Sequence, residues 1–553
     1  MFKLKLKKMK KIIYIFIISG LFFACNGDDY DLTPFNPETS ITINPQTPSY
    51  SSGTANFSNF VAVGNSLTAG YSDGALFVEG QENSMPNILA QQFALAGGGP
   101  FSQPLMNDNL GGLLLGGQQI ASNRLYLSFA SGSPSPTAVS GTPSTEVSNV
   151  LSGPFNNMGV PGAKSYHLVA PGYGNVAGVA QGLANPYYAR MATSSGATVL
   201  GDAMTQNPTF FSLWIGNNDI LGYATSGGSG MDQTGNLDPT SYGGNDITDP
   251  NVFASVYNSL LQGLTANGAK GIVTNLPSIT SIPYFTTVPY AALDPSNPDF
   301  GGQIPTLNTI FGALNQVYAF LGMPNRSITF STSAASAVVI KDEDLVDISA
   351  QIAAVLSADP SFPVFVQQFG LPAQAAPLVA NLLGTVYGQA RQANANDLIV
   401  LPSSSVIGTI NSDAVAFFMS QGLSQELAGQ FAVEGITLPL EDKWVLTPEE
   451  QNAVETARVS YNQTIESLAA LYDLAFLDSA DLLQQLLISG ISQNGYTTTA
   501  TYATGGGFSL DGVHPSPRGY AILSNAMIEE INAKYGSNLP SVNSGNYKGV
   551  YLQ

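Results

Sequence analysis

In the stretch FVAVGNSLTAGY, residues 60–71, the apolar run Phe60-Val61-Ala62-Val63 breaks at Gly64 and sets Ser66 just ahead of Leu67-Thr68-Ala69. A short, continuously apolar segment reads as a strand buried on both faces, and the residues after Gly64 read as a turn into a helix. Ser66 is then either a nucleophile displayed at that turn or a hydroxyl capping the helix. Outward from it the same alternation recurs. MPNILAQQFALA (85–96) reads as a helix with Pro86 in its first turn, and TFFSLWIG (209–216) as a second core strand. NVFASVYNSLLQGLTANGAKGIVTNLP (251–277) reads as a helix, a glycine-containing stop and a strand at 271–275. Thr447 with Glu450 forms a capping box, followed by a long amphipathic helix and a strand at 474–477. Strands alternating with helices predict an α/β fold with helices over both faces of a central parallel sheet.

Residues 286–396 are less regular. They hold AALDPSNPDFGGQ (291–303), a helical pattern around 306–321, and the uncharged run FVQQFGLPAQAAPLVANLLGTVYGQA (365–390). This segment reads as a mainly helical insertion in the sheet body. Its apolar parts either pack on the core or form a lid over a substrate groove.

The N-terminus carries an address. MFKLKLKKMKK (1–11) holds six lysines, and IIYIFIISGLFFA (12–24) is an apolar run of thirteen residues. That is short for a membrane-spanning helix and suits a signal peptide. Cys25, the one cysteine of the chain, follows directly in LFFAC, which resembles a bacterial lipoprotein cleavage box. Residues 1–24 are thus expected to be a leader, and Cys25 the lipidated end of an envelope lipoprotein on the outer membrane, exposed at the surface. Acyl chains at about 0.8 kcal/mol per buried CH2 would anchor it. Residues 25–55, rich in Pro, Ser, Thr and Asn, read as a tether, 56–535 as the folded body and 536–553 as a tail. The net charge is −20, and the leader's lysines hide a body with 12 basic against 38 acidic residues. Such a surface repels phosphate backbones, which argues against nucleic acid as a partner.

Only two histidines occur, His167 and His514, so a histidine base for Ser66 is a choice between two. His514 lies in SLDGVHPSPRGYAIL with Asp511 three residues before it, and Ser516-Pro517 reads as a helix start. A carboxylate beside an imidazole on a rigid loop can fix its tautomer and stabilise the imidazolium; the bland alternative is a loop histidine with a solvated aspartate. WIGNNDI (214–220) puts Asn217, Asn218 and Asp219 at the end of a core strand, where sites of parallel sheets lie. NNMGVPGAKS (156–165) is a turn suited to exposing the Gly162 N–H. The acidic loop 231–251 lacks an EF-hand arrangement and reads as solvated.

Taken in order, GNSLTAGY, NMGVPGA, GNND and DGVHPS resemble the four blocks of the SGNH hydrolases, or GDSL esterases and lipases. GAKGIVTNLPSITSIPYF resembles a strand and Pro-rich turn of lipase members. The resemblance covers roughly 57–285 and 395–535. It implies a three-layer, flavodoxin-like α/β/α fold and hydrolysis of carboxylic esters through an acyl-serine, with no cofactor and no metal. It makes Ser66 the nucleophile, His514 the base and Asp511 its orienting carboxylate. The backbone N–H groups of Ser66 and Gly162 and the amide of Asn218 would form the oxyanion hole. Asn217 and Asp219 would be structural, and His167 matches no family position. The family usually has Asp where Asn65 stands, and an amide oxygen there can still accept a turn hydrogen bond. G-x-S-x-G is not met, since position 68 is Thr68. Lipid or fatty-acyl esters are the favoured substrates, with carbohydrate O-acetyl esters next. A surface binding protein on the same scaffold is the alternative of another class.

Overall fold

The computed structural model describes residues 49–130 and 132–552. The leader, Cys25 and the tether up to residue 48 lie outside the described residues. Five strands, β1 (Phe60–Gly64), β2 (Asn157–Gly159), β3 (Phe210–Trp214), β4 (Lys270–Thr274) and β5 (Ala475–Leu477), form one sheet in the order 2-1-3-4-5. Every pairing is parallel. Ala62 stands opposite Asn157 on one side and Ser212 on the other.

The strands are buried on both faces, and alternate residues feed two cores. Val61, Val63, Phe211, Leu213 and Val273 face one; Phe60, Ala62, Phe210, Ile272 and Ala475 face the other. The helices that matter for the site are α1 (Ser66–Ala69), α2 (Met85–Leu95), α3 (Asn218–Thr225), α4 (Pro250–Thr265), α5 (Pro448–Leu471), α6 (Ser479–Ile488) and α7 (Pro517–Tyr535). α4 and α5 close the first core through Phe253, Leu260, Tyr461 and Ile465, while α2 and α7 close the second through Ile88, Phe93, Met527 and Ile531. Their starts are where the sequence places them. Thr447 N–H donates to Glu450 Oε2 at 2.7 Å, and Gly519 N–H donates to Ser516 Oγ at 3.1 Å. The fold is therefore α/β, with a central parallel sheet covered by helices on both faces.

β2 was not legible. Asn157-Met158-Gly159 is too short and too polar to read as a strand, and only its pairing with β1 makes it one. The insertion is also longer than 286–396. A separate core that includes Phe311, Tyr318, Ile352 and Tyr387 also takes in Ile436, Leu440 and Val445, and Phe418 and Leu427 belong to a cluster beside it. Residues 407–440 thus pack with the insertion, while Leu401 lies against Gly512 and Asp442 against Gly227 of the sheet body. At its root, Leu398–Ile399 pairs antiparallel with Val445–Leu446. Ile399 and Val445 face the insertion core, whereas Val400 and Leu446 face the sheet core, so the segment packs on the body through this ladder.

Both assigned ends shift as well. Ser51 N–H donates to Asn538 Oδ1 at 2.6 Å and Thr54 N–H to the Tyr535 carbonyl at 2.8 Å, so residues 51–55 belong to the folded body. The segment beyond 535 is no free tail. Val542 N–H donates to Asn525 Oδ1 at 2.8 Å, and Tyr551 is buried with the Arg124 guanidinium 4.7 Å over its ring. Among the described residues no helix is long and apolar enough to cross a membrane.

Candidate active site

Ser66 sits at the first position of α1, directly beyond the C-terminal end of β1. Gly64 makes the sharp exit possible: a Cβ there would lie 2.2 Å from Thr68 Oγ1 and 2.4 Å from the Trp214 carbonyl oxygen. Asn65 caps the turn, its Oδ1 accepting from Leu67 N–H at 3.0 Å while its amide donates to Asn217 Oδ1 at 3.2 Å. The amide in place of aspartate keeps the turn bond expected of it. Among the described residues the Ser66 N–H has no acceptor.

The loop before α7 brings His514 to Ser66. His514 Nε2 is 2.8 Å from Ser66 Oγ, and His514 Nδ1 is 2.9 Å from Asp511 Oδ2. Asp511 Oδ1 accepts from the N–H groups of Val513 and His514, each at 2.8 Å, and from Ser509 Oγ at 3.0 Å. Oδ2 also accepts from Gly74 N–H at 3.0 Å. Burial alone would raise this carboxyl, but the His514 ring and these donors outweigh it and hold Asp511 down at about 2. It is thus a carboxylate at any pH at which a histidine base could work. The Tyr71 ring packs against His514 with centroids 4.7 Å apart.

Asn218, at the start of α3, donates one amide hydrogen to the Ala163 carbonyl at 2.8 Å, which fixes its orientation and leaves the second hydrogen free. Gly162 follows β2 on an exposed turn at φ +80°, a conformation that favours glycine, and its N–H has no acceptor among the described residues. Asn185 steadies that turn by donating to the Pro161 carbonyl at 2.8 Å. Asn218 shares a cavity with Ser66 and His514, whereas Gly162 is not in its wall.

Asp219 and His167 are tied into the scaffold. Asp219 accepts from Ser165 N–H and Oγ at 2.8 and 2.6 Å and is fully buried. His167 Nδ1 accepts from Lys164 N–H at 3.0 Å, its ring stacks on Tyr173 at 4.3 Å, and burial with the Lys164 charge pushes it down to about 4. In the acidic loop, Asp246 accepts from Met231 and Gly243 N–H and Asp249 caps α4 through Asn251 and Val252 N–H, so the loop's own backbone uses these carboxylates. Glu343, Asp442 and Glu450 place carboxylate oxygens within 4.8 Å of one another, but none of them lines the Ser66 cavity.

That cavity has a volume of about 110 Å³. Its wall is apolar, with Leu482, Leu483 and Leu486 of α6, Ile282, Phe508 and Ile522, and it contains no charged side chain apart from the titratable His514. No residue between 283 and 478 lines it, so the insertion does not form a lid over it. The α6 wall was missed by the sequence reading. Its Leu-Leu-Gln-Gln-Leu-Leu pattern was the available signal, but core packing explains such a pattern equally well. Comparison of the chain with protein-family models, with curated proteins and with solved structures gives no match.

Proposed function

We propose that this chain is a serine ester hydrolase of the SGNH (GDSL) class, acting on esters with apolar acyl groups. The observation that carries the reading is the continuous relay Ser66 Oγ–His514 Nε2 at 2.8 Å and His514 Nδ1–Asp511 at 2.9 Å, opening on an apolar cavity. The strand order 2-1-3-4-5 is the flavodoxin-like order, and the site lies at the carboxyl ends of β1 and β3, which supports the class.

In this mechanism His514 takes the Ser66 proton as Oγ attacks the ester carbonyl. The negative charge that forms on the carbonyl oxygen is met by the N–H groups of Ser66 and Gly162 and the free amide hydrogen of Asn218. Asp511 stabilises the imidazolium without taking its proton. His514 then protonates the departing alcohol, and water admitted against the same base hydrolyses the acyl-serine. An uncharged wall of leucine, isoleucine and phenylalanine gains free energy from a long acyl chain and offers few groups to a sugar ring. With Cys25 lipidated, the enzyme would work at the cell envelope.

The test is a p-nitrophenyl ester series from acetyl to palmitoyl with Ser66→Ala as control. The expected result is kcat/KM rising with chain length and a loss of about a thousandfold or more in the variant. Equal activity in the variant rejects Ser66 as nucleophile, and a preference for acetyl favours deacetylation of surface polysaccharide.

A further inference from the structure

Immediately after the nucleophile turn, Ser72-Asp73-Gly74-Ala75 closes a second turn. Ser72 and Ala75 exchange both backbone hydrogen bonds, at 3.0 and 3.1 Å, and the two central residues have φ +52° and +77°. That is type I′ geometry, which Asp-Gly adopts readily. Such turns usually join the strands of a hairpin, yet here the Ser72–Ala75 bridge stands alone. The Asp73 carbonyl accepts from Leu125 N–H at 2.8 Å and the Gly74 carbonyl from Tyr71 Oη at 2.5 Å, while four other groups of the turn reach across more than 430 residues of chain to the loop that carries His514. Asp73 N–H donates to Ser509 Oγ at 2.9 Å, and Ser509 Oγ donates in turn to Asp511. Gly74 N–H donates to Asp511 Oδ2, and Ser72 Oγ donates to the Pro515 carbonyl at 3.3 Å. Asp73 Oδ1 accepts from Leu510 N–H at 2.9 Å.

We propose that Asp73 is a positioning residue for the Asp511–His514 pair, holding the 509–514 loop in place and adding a second negative charge beside the orienting carboxylate. The proposal rests on the reading of His514 as general base. A turn alone does not explain an aspartate here. Asparagine adopts positive φ as easily and its oxygen would accept the same Leu510 N–H bond. Instead a carboxyl is placed where it is 1% exposed, next to another carboxylate. The charged and titratable groups that act on it or feel it are Asp511, Arg124, Tyr502 and Tyr551. Burial, with Asp511 adding to it, pushes Asp73 up to about 7 against the Leu510 N–H, Arg124 and Ser72. Its charge therefore grows across the neutral range. A negative charge at that place stabilises the imidazolium formed when His514 takes the Ser66 proton.

Two variants test this in the full chain. Asp73→Asn keeps the turn and the Leu510 bond but removes the charge, which disfavours the imidazolium. The acid limb of its kcat/KM profile should move about half a pH unit lower, with kcat at pH 9 within about threefold of wild type. Asp73→Ala also removes the loop bond and should lose about tenfold in kcat with KM unchanged, a loss the asparagine variant restores. The low-field proton NMR signal of His514 Nδ1–H gives a readout that needs no substrate. Nδ1 of His167 is an acceptor and contributes no such proton. The pH midpoint of that signal should fall in Asp73→Asn along with the acid limb. An unchanged midpoint overturns the proposal, as does an alanine variant that raises KM alone; if the alanine variant does not fold, the asparagine midpoint decides. A wild-type protein that hydrolyses no ester overturns the functional reading, and the midpoint still tests the positioning role.

Discussion

Replacing Asp511 by asparagine removes one charge and almost no volume, and the hydrogen bonds around it dictate the outcome. Oδ1 accepts from three donors, Ser509 Oγ and the N–H groups of Val513 and His514, whereas Oδ2 accepts from Gly74 N–H and His514 Nδ1. Asparagine has a single acceptor oxygen. It takes the three-donor side, because the opposite placement sets an NH2 group against two backbone N–H groups that cannot turn away. The NH2 then faces His514, Nδ1 becomes an acceptor, and Nε2 carries the hydrogen toward Ser66. A donor at Nε2 cannot accept the serine proton. The expected loss in kcat is about 10³–10⁴-fold, or about 4–5.5 kcal/mol at 1.36 kcal/mol per decade. KM should change little, since Asp511 lines no part of the cavity. Asp511→Ala leaves the ring free to take either tautomer, so it should keep at least as much activity as the asparagine variant despite being the larger deletion. Steady-state kinetics on the best p-nitrophenyl ester, with a melting curve for each variant, measures both. An asparagine variant within tenfold of wild type, or clearly more active than the alanine variant, refutes the tautomer reasoning.

Leu486→Trp, which fills part of the cavity wall, should lower kcat/KM for the palmitoyl ester about tenfold and leave the acetyl ester within about twofold. Equal loss on both would place the acyl chain elsewhere. Glu450 is buried against Glu343 and Asp344, and burial first, then these neighbours, push it up to about 7. A raised carboxyl pKa favours the folded state at acid pH, and that advantage is lost as pH climbs from the ordinary carboxylate range through 7. Glu450→Gln keeps an acceptor for Thr447 N–H, so urea unfolding should show it more stable than wild type by about 2–3 kcal/mol at pH 8 and equal at pH 4. No gain at pH 8 would contradict this assignment.

Several features were legible because their signals are local. The apolar runs of β1, β3, β4 and β5 mark buried strands, and Thr447 with Glu450 and Ser516 with Pro517 mark helix starts. The contact of Ser66 with His514 and Asp511 was legible for another reason: with two histidines in 553 residues, few rings could meet Ser66. β2 was not, because Asn157-Met158-Gly159 has one apolar side chain and becomes a strand only against β1. The insertion boundary was misplaced because residues 407–440 carry ordinary helical patterns that do not say which core they enter.

For this chain the sequence by itself determined the strands β1, β3, β4 and β5, the helix starts, the turn at Ser66 and which histidine meets it, since these depend on side-chain periodicity, caps and the scarcity of histidine. Tertiary structure alone decided that α6, and not the insertion, walls the cavity. It also decided that the turn at Asp73–Gly74 grips Asp511. Both depend on contacts between segments hundreds of residues apart, and no local pattern encodes which distant segment a leucine or a backbone N–H will meet.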